Sequence, residues 1–139
     1  MRQVIPNLLW IGNASDARNV HQFLDAGCTA IVSLAFEEPS VVLPRELIYC
    51  RIPLMDGEGN SDAALRLAVR TVCHFIHESV PALVACSGGM SRSPGITAAA
   101  ISTLQGRPMR EVLDEVTADA PHDVSPTLWK HLSALDFNA

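Results

Sequence analysis

The segment CSGGMSRSPG, residues 86–95, combines the residue types and spacing best suited to chemistry. Five residues separate Cys86 from Arg92. Gly88 and Gly89 permit a tight turn in which backbone N–H groups converge. Pro94 marks the entry into a helix, whose N-terminal dipole end adds positive potential. Together these features make a cup for a tetrahedral oxyanion. Arg92 can close the cup with two parallel hydrogen bonds to oxygens such as those of phosphate. Cys86 lies at the bottom, where the same dipoles favour a thiolate over a thiol. A lone cysteine at a strand end is more often a small core residue. The loop around Cys86 is what favours a nucleophile.

The elements that must position this segment follow from the apolar pattern. Runs at 8–11 (LLWI), 29–35 (TAIVSLA) and 82–86 (ALVAC) are short, apolar and partly β-branched, as buried strands are. Residues 46–54 (ELIYCRIPL) alternate only in part and fit a strand nearer an edge. Helices fill the gaps. One is expected from Asn13 to Ala26, stopped by Gly27. A second starts after Ser61 as N-cap, with Asp62 in its first turn and Leu65, Ala68, Val72 and Ile76 on its inner face. Arg66, Arg70, His74 and His77 form the opposite, solvated stripe. Residues 94–105 are apolar nearly all round, the mark of a central buried helix. Two more helices begin at Pro108 and at Ser125-Pro126. Alternating strands and helices imply an α/β fold, a single domain with a central, mostly parallel sheet flanked by helices. In such sheets the ligand site lies beyond the carboxyl ends of the strands, where the 82–86 strand delivers Cys86.

The chain has 139 residues, the size of one domain, expected to span 1–139. With 48% hydrophobic and 18% charged residues it is composed to fold around a core. Its net charge is -5 and Lys130 is the only lysine, which argues against nucleic acid or an anionic membrane as partner. No apolar run reaches the roughly 20 residues a membrane span needs, and the N-terminus carries no signal-peptide pattern. Cys28, Cys50, Cys73 and Cys86 lack CxxC spacing and fit reduced thiols in a cytoplasmic protein. His74 and His77 have no obvious third ligand nearby, so no metal site and no cofactor is expected. Oligomeric state is not readable from these features.

The spacing C-x5-R followed by Ser, in the form Gly89-Met90-Ser91-Arg92-Ser93, resembles the cysteine-dependent protein phosphatases. Within that superfamily it is most similar to the dual-specificity branch. The likeness extends over nearly the whole chain. PNLLWIGNASDA resembles the family's first strand and helix, GCTAIVSLA its second strand, and IPLMDGEGN its general-acid loop. The resemblance implies hydrolysis of phosphate monoesters, on phosphoproteins or small phosphate esters, through a phosphocysteine intermediate. It implies Cys86 as nucleophile, Arg92 as phosphate clamp, Asp56 as general acid and Ser93 as the hydroxyl that hydrogen-bonds the sulfur. The backbone of Ser87, Gly88, Gly89, Met90, Ser91 and Arg92 would bind the equatorial oxygens. No metal is implied.

An Asp before Gly, such as Asp56, is a common turn residue. Asp62 reads as first-turn chemistry, Asp119 and Asp123 as turn residues, and Trp10 and Trp129 as core anchors. Asn60, near the acid loop, is given no role. One departure stands out: the family usually has His before the nucleophile, and here that residue is Ala85. The change bears on how strongly Cys86 is activated rather than on the reaction. Two other functions share these residues. A rhodanese-like sulfurtransferase would also seat a cysteine in an anion loop, but that loop is usually a residue shorter and needs no Asp acid. A phosphate-recognition pseudophosphatase with little turnover would usually lack one of Cys86, Arg92 and Asp56.

Overall fold

Five strands form one sheet: β1 (Arg2–Ile5), β2 (Leu9–Gly12), β3 (Ala30–Ala35), β4 (Ile48–Leu54) and β5 (Ala82–Ala85). Their order across the sheet is β1-β2-β5-β3-β4. A computed structural model describes residues 1–138 of the chain; Ala139, the last residue of the expected domain, lies outside the described residues. The pairs β2–β5, β5–β3 and β3–β4 are parallel, and β1 alone runs antiparallel, against β2. Every residue of β2, β3 and β5 is buried, which is why these segments read as unbroken apolar runs. β4 lies at the edge, as its broken alternation suggested. β1 was not foreseen. It is four residues long with two polar side chains, and it exists because a tight turn with Asn7 at φ 57 folds it back onto β2.

Six helices cover the sheet: α1 (Ala14–Arg18), α2 (Val20–Asp25), α3 (Asp62–His77), α4 (Arg92–Gln105), α5 (Met109–Val116) and α6 (Pro126–Ala134). The single helix expected from Asn13 to Ala26 is two. Asn19 closes α1 through its N–H to Asp16 and opens α2 by accepting from the Gln22 N–H at 3.2 Å. Asn favours such caps because its short polar side chain competes with the helical backbone bonds. α4 also starts two residues earlier than Pro94, placing Arg92 and Ser93 in its first turn, where proline is tolerated.

Strand alternation sends Leu9, Ile11, Val32, Leu34 and Val84 to one face, under α3 to α6. Trp10, Ile31, Leu83 and Ala85 face the other way, against Ala17 and Phe23 of α1 and α2. α4 packs against α3, α5 and α6, and Arg92 through Ile101 are all buried. Its apolar surround explains the all-round hydrophobic sequence. It also fixes the N-terminus of α4 rigidly beside the end of β5. Among the described residues no helix is long and apolar enough to cross a membrane.

Candidate active site

β5 ends at Ala85, so Cys86 is the first residue of the loop rather than the last of the strand. Its N–H still bonds to the Gly12 carbonyl at 3.3 Å, and the Ala14 N–H bonds to the Ser87 carbonyl at 3.1 Å. The loop is thereby stitched to the β2–α1 junction. Gly89 has φ +72, and a Cβ there would meet the Gly12 carbonyl carbon and oxygen at 3.1 Å. Only glycine meets both demands. On the far side, the Asp123 N–H donates to the Met90 carbonyl at 2.8 Å. Among the described residues no backbone carbonyl takes the N–H groups of Ser87 to Arg92 in these loop contacts, so they stay available to an anion.

Cys86 is buried, with 4% of its surface exposed, and Arg92 is buried likewise at 3%. The guanidinium is held from one end. Its Nη1 donates to Glu37 Oε1 at 2.6 Å and to the Leu54 carbonyl at 2.9 Å, and its Nη2 donates to Glu37 Oε2 at 2.6 Å. Its Nε is buried without a partner. Glu37 also accepts from Ser87 Oγ at 2.9 Å. The hydrogen bond from Arg92 is the main cause that holds the Glu37 carboxyl down at about 2. The same bond raises Arg92 further above its already high ordinary value.

Asp56 is brought to the loop. Ser91 Oγ donates to Asp56 Oδ1 at 2.5 Å while accepting from the Ser125 N–H at 2.9 Å. One hydroxyl thus ties the Asp56 loop, the anion loop and the start of α6 together. Asn60 holds the Asp56 loop in shape. Its Oδ1 accepts from the Met55 N–H at 2.7 Å, and its Nδ2 donates to the Met55 carbonyl at 2.9 Å and to the Gly57 carbonyl at 3.4 Å. Ser93 is fully buried in the first turn of α4, and its hydroxyl has no protein partner, Cys86 included. Ala85 packs into the core beside Trp10 and Phe23, so no imidazole stands behind Cys86.

Two residues of this site escaped the sequence reading. Glu37 lies in FEEPS just past β3, the neighbour of β5 in the sheet, and an acidic pair beyond the carboxyl end of that strand was its signal. Asn60 carried no local signal beyond its nearness to Asp56. The residues read as structural behave as such. Trp10 is in the core, Trp129 is half-buried under Arg110 at 5.9 Å, and Asp62 sits in the first turn of α3 with His131 Nε2 at 2.7 Å.

A buried cysteine, a loop whose amides take no protein carbonyl and a buried arginine at the head of a helix stand together on the fold of the protein tyrosine phosphatases. Comparison with known proteins narrows it. The chain is 31% identical to dual specificity protein phosphatase 15 of Mus musculus over 125 residues, 87% of this chain and 51% of that protein. It is 30% identical to mouse dual specificity protein phosphatase 14 over 134 residues, 92% of this chain and 65% of that protein. The chain thus spans about half the length of the first curated relatives it matches. The crystal structure of DUSP15 superposes with a TM-score of 0.80 at 27% identity, covering 95% of this chain and 84% of that one. Human DUSP28 gives a TM-score of 0.83 at 23% identity, over 96% and 93% of the two chains, a likeness of fold. No family model matches. By sequence and by fold the chain is similar to the dual-specificity branch of the protein tyrosine phosphatase superfamily.

Proposed function

We propose that this chain is a dual-specificity protein phosphatase that hydrolyses phosphate monoesters on phosphoproteins in two displacements. The observation that carries the reading is the meeting of Cys86, the free loop amides and the unoccupied edge of Arg92 at the head of α4. The Cys86 thiolate attacks phosphorus in line, forming an S–P bond as the ester P–O bond breaks. Asp56, as the acid, gives its proton to the departing oxygen, and then as carboxylate takes a proton from the water that attacks the phosphocysteine. That second displacement returns inorganic phosphate and the thiolate. The amides of Ser87, Gly88, Gly89, Met90, Ser91 and Arg92, with the Arg92 guanidinium, stabilise charge on the equatorial oxygens throughout. The Ser93 hydroxyl, which has no other partner, turns to the sulfur as the thiolate leaves.

This assignment favours turnover over bare phosphate recognition, because nucleophile, clamp and acid are all present in one site. The Ser91–Asp56 bond argues against sulfur transfer, which has no use for an acid placed there. Four free cysteines fit a reducing compartment, and we assign the protein to the cytoplasm.

The deciding experiment compares turnover of aryl phosphates by wild type, Cys86→Ser and Asp56→Ala. Cys86→Ser abolishes activity. Asp56→Ala lowers kcat on the order of 10²–10⁴-fold with a poor leaving group. With a dinitrophenolate, which needs little protonation, the loss shrinks. A loss independent of leaving group moves the acid role to another residue, and full activity in Cys86→Ser refutes the phosphocysteine route.

A further inference from the structure

We propose that Phe36, Met55 and Met90 form an apolar rim around the anion cup that grips the aromatic ring of a phosphotyrosine, so that this site turns over phosphotyrosine faster than phosphoserine or phosphothreonine. The inference rests on the phosphatase reading above. All three side chains are exposed, Phe36 at 59% and the two methionines at 43% each. One exposed apolar side chain is ordinary. Three that each stand beside a residue of the site are not: Phe36 precedes Glu37, Met55 precedes Asp56 and Met90 precedes Ser91.

The backbone brings their three loops together. β3 and β4 pair in parallel with Ala35 opposite Leu54, so Phe36 and Met55 leave the sheet side by side. The Phe36 N–H donates to the Leu54 carbonyl at 3.1 Å, and the same carbonyl accepts from Arg92 Nη1 at 2.9 Å. The bond from Ser91 to Asp56 joins the residue after Met90 to the residue after Met55. Met90 lies along the anion loop, its Cε 3.9 Å from where a Cβ on Gly88 would stand. Met55 lies on its own loop, its Cγ 3.8 Å from the corresponding point on Gly59. Exposed apolar groups edged by polar ones mark a binding surface.

The reaction fixes what crosses this rim. With the phosphoryl group seated in the cup, the first group outside it is the organic part of the ester. In phosphotyrosine that part is a flat apolar ring, which passes the rim before the peptide backbone begins. In phosphoserine and phosphothreonine one carbon separates the ester oxygen from the backbone, so polar amides reach the rim instead. An aromatic side chain and two adaptable thioethers suit the ring, since aromatic pairs and sulfur–aromatic contacts add attraction beyond the area they bury. The same side chains gain little against amides, which lose water there.

The test compares two peptides that differ only in carrying phosphotyrosine or phosphothreonine, with wild type, Phe36→Ala, Phe36→Leu, Met55→Ala and Met90→Ala. The readouts are kcat/KM on both peptides and tungstate affinity by calorimetry. Wild type is expected to favour the phosphotyrosine peptide. Each alanine variant lowers the ratio of the two kcat/KM values by about 2- to 10-fold, the size of one aromatic or sulfur–aromatic contact. Phe36→Leu, which keeps apolar bulk, lowers it less than Phe36→Ala. Tungstate fills the cup but has no ring, so it binds Phe36→Ala and Met55→Ala as tightly as wild type. An equal loss on both peptides means that the rim touches peptide flanks rather than the ring, and it overturns the proposal. So does a ratio that none of the alanine variants changes, or a ratio that falls only in step with tungstate affinity. If wild type turns over neither peptide, the phosphatase reading fails, and binding of the two peptides to Cys86→Ser, with and without Phe36→Ala, still decides the rim. A tighter phosphotyrosine complex that Phe36→Ala weakens supports it, and equal affinities overturn it.

Discussion

Glu37 and Arg92 are coupled in protonation as well as in place, and the sign of that coupling can be worked out. The Glu37 carboxyl falls from its ordinary 4.5 to about 2 in the folded chain because of the hydrogen bond from Arg92. A depressed carboxyl contributes stability that is fully present above its unfolded value and is lost as pH falls through the folded one. The window is thus pH 4.5 down to about 2. The melting temperature of wild type is expected to exceed that of Glu37→Gln near neutral pH, with the gap closing across this window. A half-exposed carboxylate is screened by water, so the gap is smaller than for a buried pair. A gap that stays constant from pH 7 to 2 means that the charge on Glu37 is not what stabilises. The cysteines give a second residue-scale outcome. Burial pushes Cys28 up to about 11 and also raises Cys50 and Cys73. Iodoacetamide at pH 8, followed by mass spectrometry, is expected to mark Cys86 first and Cys28 last. Comparable labelling of Cys28 contradicts the assignment of Cys86 as the reactive thiol.

Elements differ in how far their own residues announce them. α4 was legible because ten consecutive buried residues leave an apolar signature that nothing else mimics. The anion loop was legible because glycines, Cys86 and Arg92 are contiguous. β1 was not, since its existence depends on pairing with β2 rather than on its own pattern. The split at Asn19 was missed because one side chain acts as cap for two helices, a role that helical periodicity hides. Glu37 and Asn60 were missed for the same reason: Glu37 meets Arg92 from 55 positions away, and the bonds of Asn60 are to backbone. Asn60 is nonetheless what shapes the Asp56 loop, with Gly57 at φ +155 and Gly59 at φ +98 giving no stiffness of their own. With Asp56 as the proposed acid, Asn60→Ala is expected to lower kcat by about 10-fold with a poor leaving group, because the loop no longer holds Asp56 beside Ser91. The loss should be smaller with dinitrophenyl phosphate. Unchanged kcat with both substrates would show that Ser91 alone suffices to place Asp56.

At the scale of the molecule, the positive potential of the site is set within an acidic chain. It comes from loop amides, the head of α4 and one guanidinium, inside a chain of net charge -5. The loop from Ser87 to Ser91 has no Lys or Arg, and the side chains hydrogen-bonded to it are acidic, Glu37 on Ser87 and Asp56 on Ser91, with Glu58 in the same loop as Asp56, while Arg2 and Arg18 line the cavities beside Gly88–Met90 and Cys86. On the proposed function, a phosphoryl group is drawn in at the base, while acidic residues flanking it on a peptide are repelled at the mouth. At low ionic strength a phosphopeptide with basic flanks should show a higher kcat/KM than the same peptide with acidic flanks, mainly through KM. The Debye length shortens from about 30 Å at ~0.01 M salt to about 8 Å at ~0.15 M. Raising salt over that range should bring the two peptides together. The small aryl phosphates, which have no flanks, should respond far less. A preference for acidic flanks, or a preference for basic ones that salt leaves untouched, would mean that recognition at the mouth rests on specific contacts rather than on the field of the whole chain.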